Sequence, residues 1–153
     1  MDSLNIDPSL LLVAAPAALG YTASWMCPVP PRVSGNYASF TPPGWVFGVV
    51  WPVLYLLLGL SWRRNARDPA LSSLYALVVA LLTAWAPVTY CASRPDAGIW
   101  IMVAAALVAG YCMVLGSTTD RLMVLPLVAW LAFATVLAAA GRERESGAKR
   151  RGE

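Results

Sequence analysis

The sequence predicts an all-α integral membrane protein, a bundle of five transmembrane helices, and three observations carry that prediction. Apolar residues make up 59% of the 153 and charged residues only 12%, against roughly 45–50% and ~25% in soluble domains. Five apolar runs, at about 10–26, 45–62, 71–92, 99–115 and 122–140, contain no Asp, Glu, Lys or Arg. Each is close to the ~20 residues that span a hydrocarbon core of about 30 Å. Proline, glycine and arginine signals separate the runs, and no linker is long enough to divide them into two domains. The transmembrane domain is therefore placed at 10–140, between a polar N-terminal segment, 1–9, and a charged tail, 141–153.

The first run follows Asp2 and Asp7 rather than a basic n-region, so it is read as a retained span and not a cleaved signal. Pro16 inside it is tolerable where neighbouring helices satisfy the freed carbonyl. Cys27 to Thr41, with Pro28, Pro30 and Pro31, is expected to fold over one mouth of the bundle. Pro42-Pro43 stops any preceding helix, and Trp45 to Trp62 then gives 18 residues without a charge. Phe47, Trp51 and Tyr55 recur every fourth residue on one face, and Pro52 can kink this helix. Trp62-Arg63-Arg64 ends it with an aromatic and cations that reach headgroups. Asp68-Pro69 opens the third run, and Ser93-Arg94-Pro95-Asp96 closes it. Gly116 to Arg121 is the turn before the fifth. The tail, GRERESGAKRRGE, is read as disordered.

Composition excludes several chemistries. With no histidine, neither an imidazole metal site nor a Ser-His-Asp triad can be built. Cys27, Cys91 and Cys112 are odd in number and lack CxxC spacing, so they are read as buried small hydrophobes rather than zinc ligands or a disulfide framework. The net charge of +3 sits in clusters beside the runs, which fits membrane orientation and not nucleic-acid binding. Seven Lys or Arg lie on the side of the C-terminus and proline-rich loop, and four, Arg63, Arg64, Arg67 and Arg121, on the other. That bias puts the C-terminus in the cytoplasm. Without ionisable groups in the spans, cargo should be apolar or flat.

What the spans offer instead is aromatic area. Trp51, Trp85 and Trp130 lie within runs, where either a pocket or plain packing accounts for them, whereas Trp25, Trp45, Trp62 and Trp100 sit at run edges as an interfacial belt would. Ala76, Ala80 and Ala84 recur at intervals of four and form a candidate dimer interface, and Gly44 and Gly48 make a GxxxG.

Pro42, Pro43, Trp45, Val46, Phe47, Trp51 and Tyr55 match a Pro-Pro-x-Trp-Val-Phe-x-x-x-Trp-x-x-x-Tyr element. Pro126, Ala129, Trp130 and Phe133 match Pro-x-x-Ala-Trp-x-x-Phe, and Trp85 and Pro87 match Trp-x-Pro. With five spans, the chain resembles the translocator protein family, also called tryptophan-rich sensory proteins and peripheral benzodiazepine receptors. The resemblance implies a five-helix bundle, commonly a homodimer, with no intrinsic cofactor. Its ligands are porphyrin or haem and other planar hydrophobic molecules, handled for transport, sensing or disposal. The implied pocket comprises Phe47, Gly48, Trp51, Trp85, Trp100, Trp130, Ala134 and Leu137. It leaves an enzyme-like alternative, light-dependent oxidative degradation of porphyrin, in which Trp51 and Trp130 are the candidate catalytic residues. Departures are Leu82 in place of an asparagine, Ala138-Ala139 in place of Asn-Tyr, and a first loop keeping only Tyr37 and Phe40 of the family's aromatics. Loss of that tyrosine removes the short cholesterol motif, so sterol is not an expected partner.

Overall fold

The computed structural model describes residues 8–28 and 41–151, with side chains described as far as residue 143. The N-terminal segment before Pro8 and most of the proline-rich loop, with Tyr37 and Phe40, lie outside the described residues, as does the expectation that this loop covers a mouth.

Five helices follow the five apolar runs: α1 (Ser9–Met26), α2 (Gly44–Arg64), α3 (Pro69–Ala86), α4 (Pro95–Leu115) and α5 (Thr118–Arg151). All five are long and apolar enough to cross a membrane. A π-helical turn, Pro87–Cys91, extends α3. Its prolyl nitrogen cannot donate, and the ladder beyond it widens, with Ala92 N donating to Pro87 O at 2.9 Å and Arg94 N to Val88 O at 3.1 Å.

The caps explain boundaries that apolar periodicity misses. Asp68 accepts from Ala70 N and Leu71 N at 2.9 and 3.1 Å, with Pro69 at the first helical position. Ser117 and Asp120 form a reciprocal capping box: Asp120 N donates to Ser117 Oγ at 3.3 Å, and Asp120 Oδ2 accepts from Ser117 N at 3.0 Å. This starts α5 four residues before the apolar run. At its other end α5 does not stop at residue 140 but continues to Arg151 through the segment read as disordered. Ala, Arg, Glu and Lys there are good helix formers, no proline intervenes, and extending an existing helix needs no new nucleus.

Around the bundle, α1 packs on α2 and α3, α3 on α4, α4 on α5, and α5 on α2, closing a ring. In lipid there is no hydrophobic drive between helices, so close backbone approach and interhelical hydrogen bonds hold the ring together. Gly59 lies against the Val13 backbone and Gly20 against the Tyr55 ring, so that a Cβ at either position would collide. Leu11, Val49, Leu107 and Val136 are more than half exposed, which is the surface expected to face acyl chains.

One correction concerns cysteine. Cys112 is buried and free, but Cys27 and Cys91 are disulfide-bonded, with Cα atoms 5.6 Å apart and a sequence separation of 64. No local spacing signals such a pair, because helix register alone brings the end of α1 beside the π turn. Disulfides persist in oxidising compartments, and this bond lies on the side of the proline-rich loop and C-terminus. It therefore opposes the cytoplasmic placement of that side from the cation count. Reporters after Arg67 and after Glu153 should fall on opposite sides of the membrane, with the second on the oxidising side.

Candidate functional site: the aromatic end of the bundle

The two ends of the bundle differ in how completely they are filled. Leu54, Leu58, Tyr75, Val78, Ala105, Val124 and Leu131 belong to one buried cluster. At ~1.5 Å per residue it occupies about the first 20 Å from the end where α2 joins α3 and α4 joins α5. Polar groups there are paired. Ser61 Oγ lies 2.6 Å from Tyr75 OH and 3.3 Å from Asp120 Oδ1, Arg64 Nε donates to Asp120 at 3.1 Å, and Trp62 Nε1 donates to Ser72 Oγ at 2.9 Å. Trp62, read from sequence as an interfacial residue, is thus also a clamp between α2 and α3.

Above the cluster, about 18–26 Å from that end by the same rise, comes a layer of half-buried aromatics. Trp51, Trp85, Trp130 and Ala134 rest directly on the core cluster. Phe47, one turn from Trp51, meets Trp130 edge-on with centroids 5.3 Å apart. Trp51 lies tilted over Tyr55 at 5.3 Å, Trp130 beside Phe133 at 5.6 Å, and Trp85 edge-on to Tyr90 at 5.5 Å. Tyr55 in turn meets Tyr21 of α1 edge-on at 5.7 Å. Leu137, one turn beyond Ala134 on α5, is buried. The remaining two residues of the expected pocket are placed differently. Trp100 is 71% exposed on α4, and the space next to Gly48 is open. Trp25 and Trp45, at the same end, are also exposed, which is the geometry of an interfacial belt. Ala76 and Ala80 lie on the outer surface of α3, with Ala84 half-buried.

Polar groups in the aromatic layer are left unpaired. Trp85 Nε1, Thr89 Oγ1 and Trp130 Nε1 are buried atoms without a hydrogen-bond partner among the described residues. Each orphaned donor costs about 1–3 kcal/mol in a low-dielectric interior. Sequence reasoning gave Thr89 no role; the signal was there in Trp-Ala-Pro, where the proline breaks the helical ladder just before it. Asp120 was missed for a similar reason, since Ser-Thr-Thr-Asp reads first as a turn and only second as a capping box. Near the layer's outer rim Arg142 of α5 pairs with Asp96 in the first turn of α4, and the Cys27–Cys91 bond ties α1 to the π turn. Among the described residues there is no group of His, Cys, Asp or Glu able to hold a metal ion.

The arrangement provides flat apolar faces and hydrogen-bond donors, a chemistry suited to holding a planar molecule. Comparison with known proteins agrees with the architecture. The TspO/MBR family profile matches residues 12–141. The chain is 25% identical to a tryptophan-rich protein TspO of Archaeoglobus fulgidus, covering 88% of this chain and 94% of that one. It is 28% identical to a tryptophan-rich sensory protein of Cereibacter sphaeroides over 88% and 90%. With the human translocator protein it shares 31% identity over 65% of each chain. A match spanning all five helices makes this chain a multi-pass membrane protein of the TspO/MBR family.

Proposed function

We propose that the protein binds tetrapyrroles, porphyrin or haem, and similar planar hydrophobic molecules within the membrane, for their transport, sensing or disposal. The observation that carries the reading is the aromatic layer itself: Phe47, Trp51, Trp85 and Trp130 half-buried on top of a fully packed core. The resemblance of these residues to the translocator element supplies the ligand class. Trp51 and Trp130 present the flat faces, Ala134 and Leu137 complete the apolar wall, and Trp100 serves the interface rather than the ligand. A ligand arriving from lipid gains little by leaving it, so stacking on indole and specific polar contacts must supply the affinity. The outer Ala76 and Ala80 leave a close-packing face for a second copy, and Ala80→Phe should convert a dimer to monomer in mild detergent.

The test is titration with protoporphyrin followed by porphyrin absorbance. Trp51→Ala should weaken binding by about 1 to 3 kcal/mol, or roughly 5- to 150-fold, after ordering and desolvation costs. Trp100→Ala should change it little. Equal binding by the parent and Trp51→Ala would remove the ligand from this layer. Trp51→Phe separates binding from the light-driven degradation alternative: a binding protein keeps most of its affinity, whereas an enzyme needing the oxidisable indole keeps binding and loses turnover.

A further inference from the structure

The orphaned donors carry the reading of the aromatic end one step further. We propose that the ligand carries hydrogen-bond acceptors, carboxylate or carbonyl groups, on its rim, and that Trp85 Nε1 and Thr89 Oγ1 form the subsite that receives one of them. This rests on the aromatic end being the ligand pocket.

Three observations converge on the pair. First, the other described threonines beyond the first turn of a helix satisfy themselves on the carbonyl four residues back: Thr22 on Ala18 at 2.7 Å, Thr83 on Val79 at 2.8 Å and Thr135 on Leu131 at 2.7 Å. Thr89 makes no such bond; its hydroxyl is buried and unpartnered, because the π turn around it shifts the carbonyls out of register. Second, the residue opposite Thr89 on α4 is Gly98, where any Cβ would collide with the hydroxyl oxygen. Glycine there keeps the hydroxyl in place without capping it. Third, Trp85 lies four residues before Thr89 at the junction of α3 and the π turn, and its indole N–H is likewise buried and unpartnered. The edge-on contact with Tyr90 fixes its ring.

An indole N–H can only donate, and a hydroxyl whose carbonyl partner has been withdrawn donates most readily, so the complementary group is an acceptor. A carboxylate or carbonyl oxygen can accept from both donors at once. The subsite belongs to α3 and the π turn, separate from the apolar faces that Trp51 and Trp130 offer from α2 and α5.

The experiment uses the full-length protein and two porphyrins of the same ring size: protoporphyrin IX, which bears two carboxylates, and etioporphyrin, whose rim is alkyl only. Thr89→Val and Trp85→Phe remove the donors while keeping most of the side-chain volume. Both should leave the melting temperature near that of the parent, because neither breaks an existing bond. Protoporphyrin affinity should fall about 5- to 10-fold in each variant, and etioporphyrin affinity should change less than about twofold. Equal losses for both porphyrins, or no loss for either, would overturn the subsite and leave the tetrapyrrole reading standing. A parent protein that binds neither porphyrin overturns that reading and the subsite together.

Discussion

The two ends of this bundle are built from the same residue types and treat their polar groups in opposite ways. At the filled end, Ser61, Tyr75, Asp120 and Arg64 join α2, α3 and α5 in one network, and the indole of Trp62 is bonded to Ser72. At the aromatic end two indoles and a hydroxyl are buried without hydrogen-bond partners among the described residues. The difference teaches that buried polar groups here divide the labour of the helices. Paired groups hold the ring closed where lipid supplies no hydrophobic drive, and unpaired ones are tolerable only if the filled end provides the stability.

The comparison breaks most visibly at the closest backbone approach. Gly59→Leu drives a side chain into the Val13 backbone and should cost about 3 kcal/mol or more, read as loss of folded protein in thermal unfolding in detergent. A variant with the parent's melting temperature would mean that α1 and α2 do not depend on this contact. Asp120→Ala removes the α5 cap and leaves Ser61 and Arg64 without their acceptor, an expected loss of about 2–3 kcal/mol. Porphyrin affinity of whatever remains folded should be unchanged, since the ligand layer lies about 20 Å away by helix rise.

The smallest effect is the most discriminating. Trp62→Phe breaks the bond to Ser72 and should cost about 0.5–1.5 kcal/mol, whereas Trp130→Phe removes an orphaned donor and should be neutral or slightly stabilising without ligand. Equal destabilisation in the two variants would erase the distinction between the ends. Where the Trp130→Phe variant is stabilised but binds protoporphyrin less well, the orphaned N–H is kept for function.

Most of the fold was legible because the bilayer makes helix the only economical solution for a run of ~20 apolar residues, and charge and proline mark where each run ends. Cap chemistry was legible in principle at Ser117 and Asp120, yet apolar periodicity, which sees only the lipid-exposed stretch, begins the helix at Leu122. Of the expected pocket residues, Phe47, Trp51, Trp85, Trp130 and Ala134 come together at one level, and Leu137 is buried just above. Trp100 is exposed on α4 and the space beside Gly48 is open, and sequence depth alone does not say which side of a helix faces inward.

By itself the sequence determined the membrane class, the number of helices and the aromatic element of α2, since these depend on length, hydropathy and local spacing. Tertiary structure decided what depends on meetings between distant segments. It brought Cys27 to Cys91 across a sequence separation of 64, set Asp120 against Ser61 and Arg64, and placed Gly98 under the hydroxyl of Thr89. Such contacts are fixed by the rotation and register of packed helices, and in lipid those are set by side-chain fit and hydrogen bonding rather than by hydropathy. A hydropathy pattern can therefore count the helices of this protein but cannot say which of their buried donors are left for a ligand.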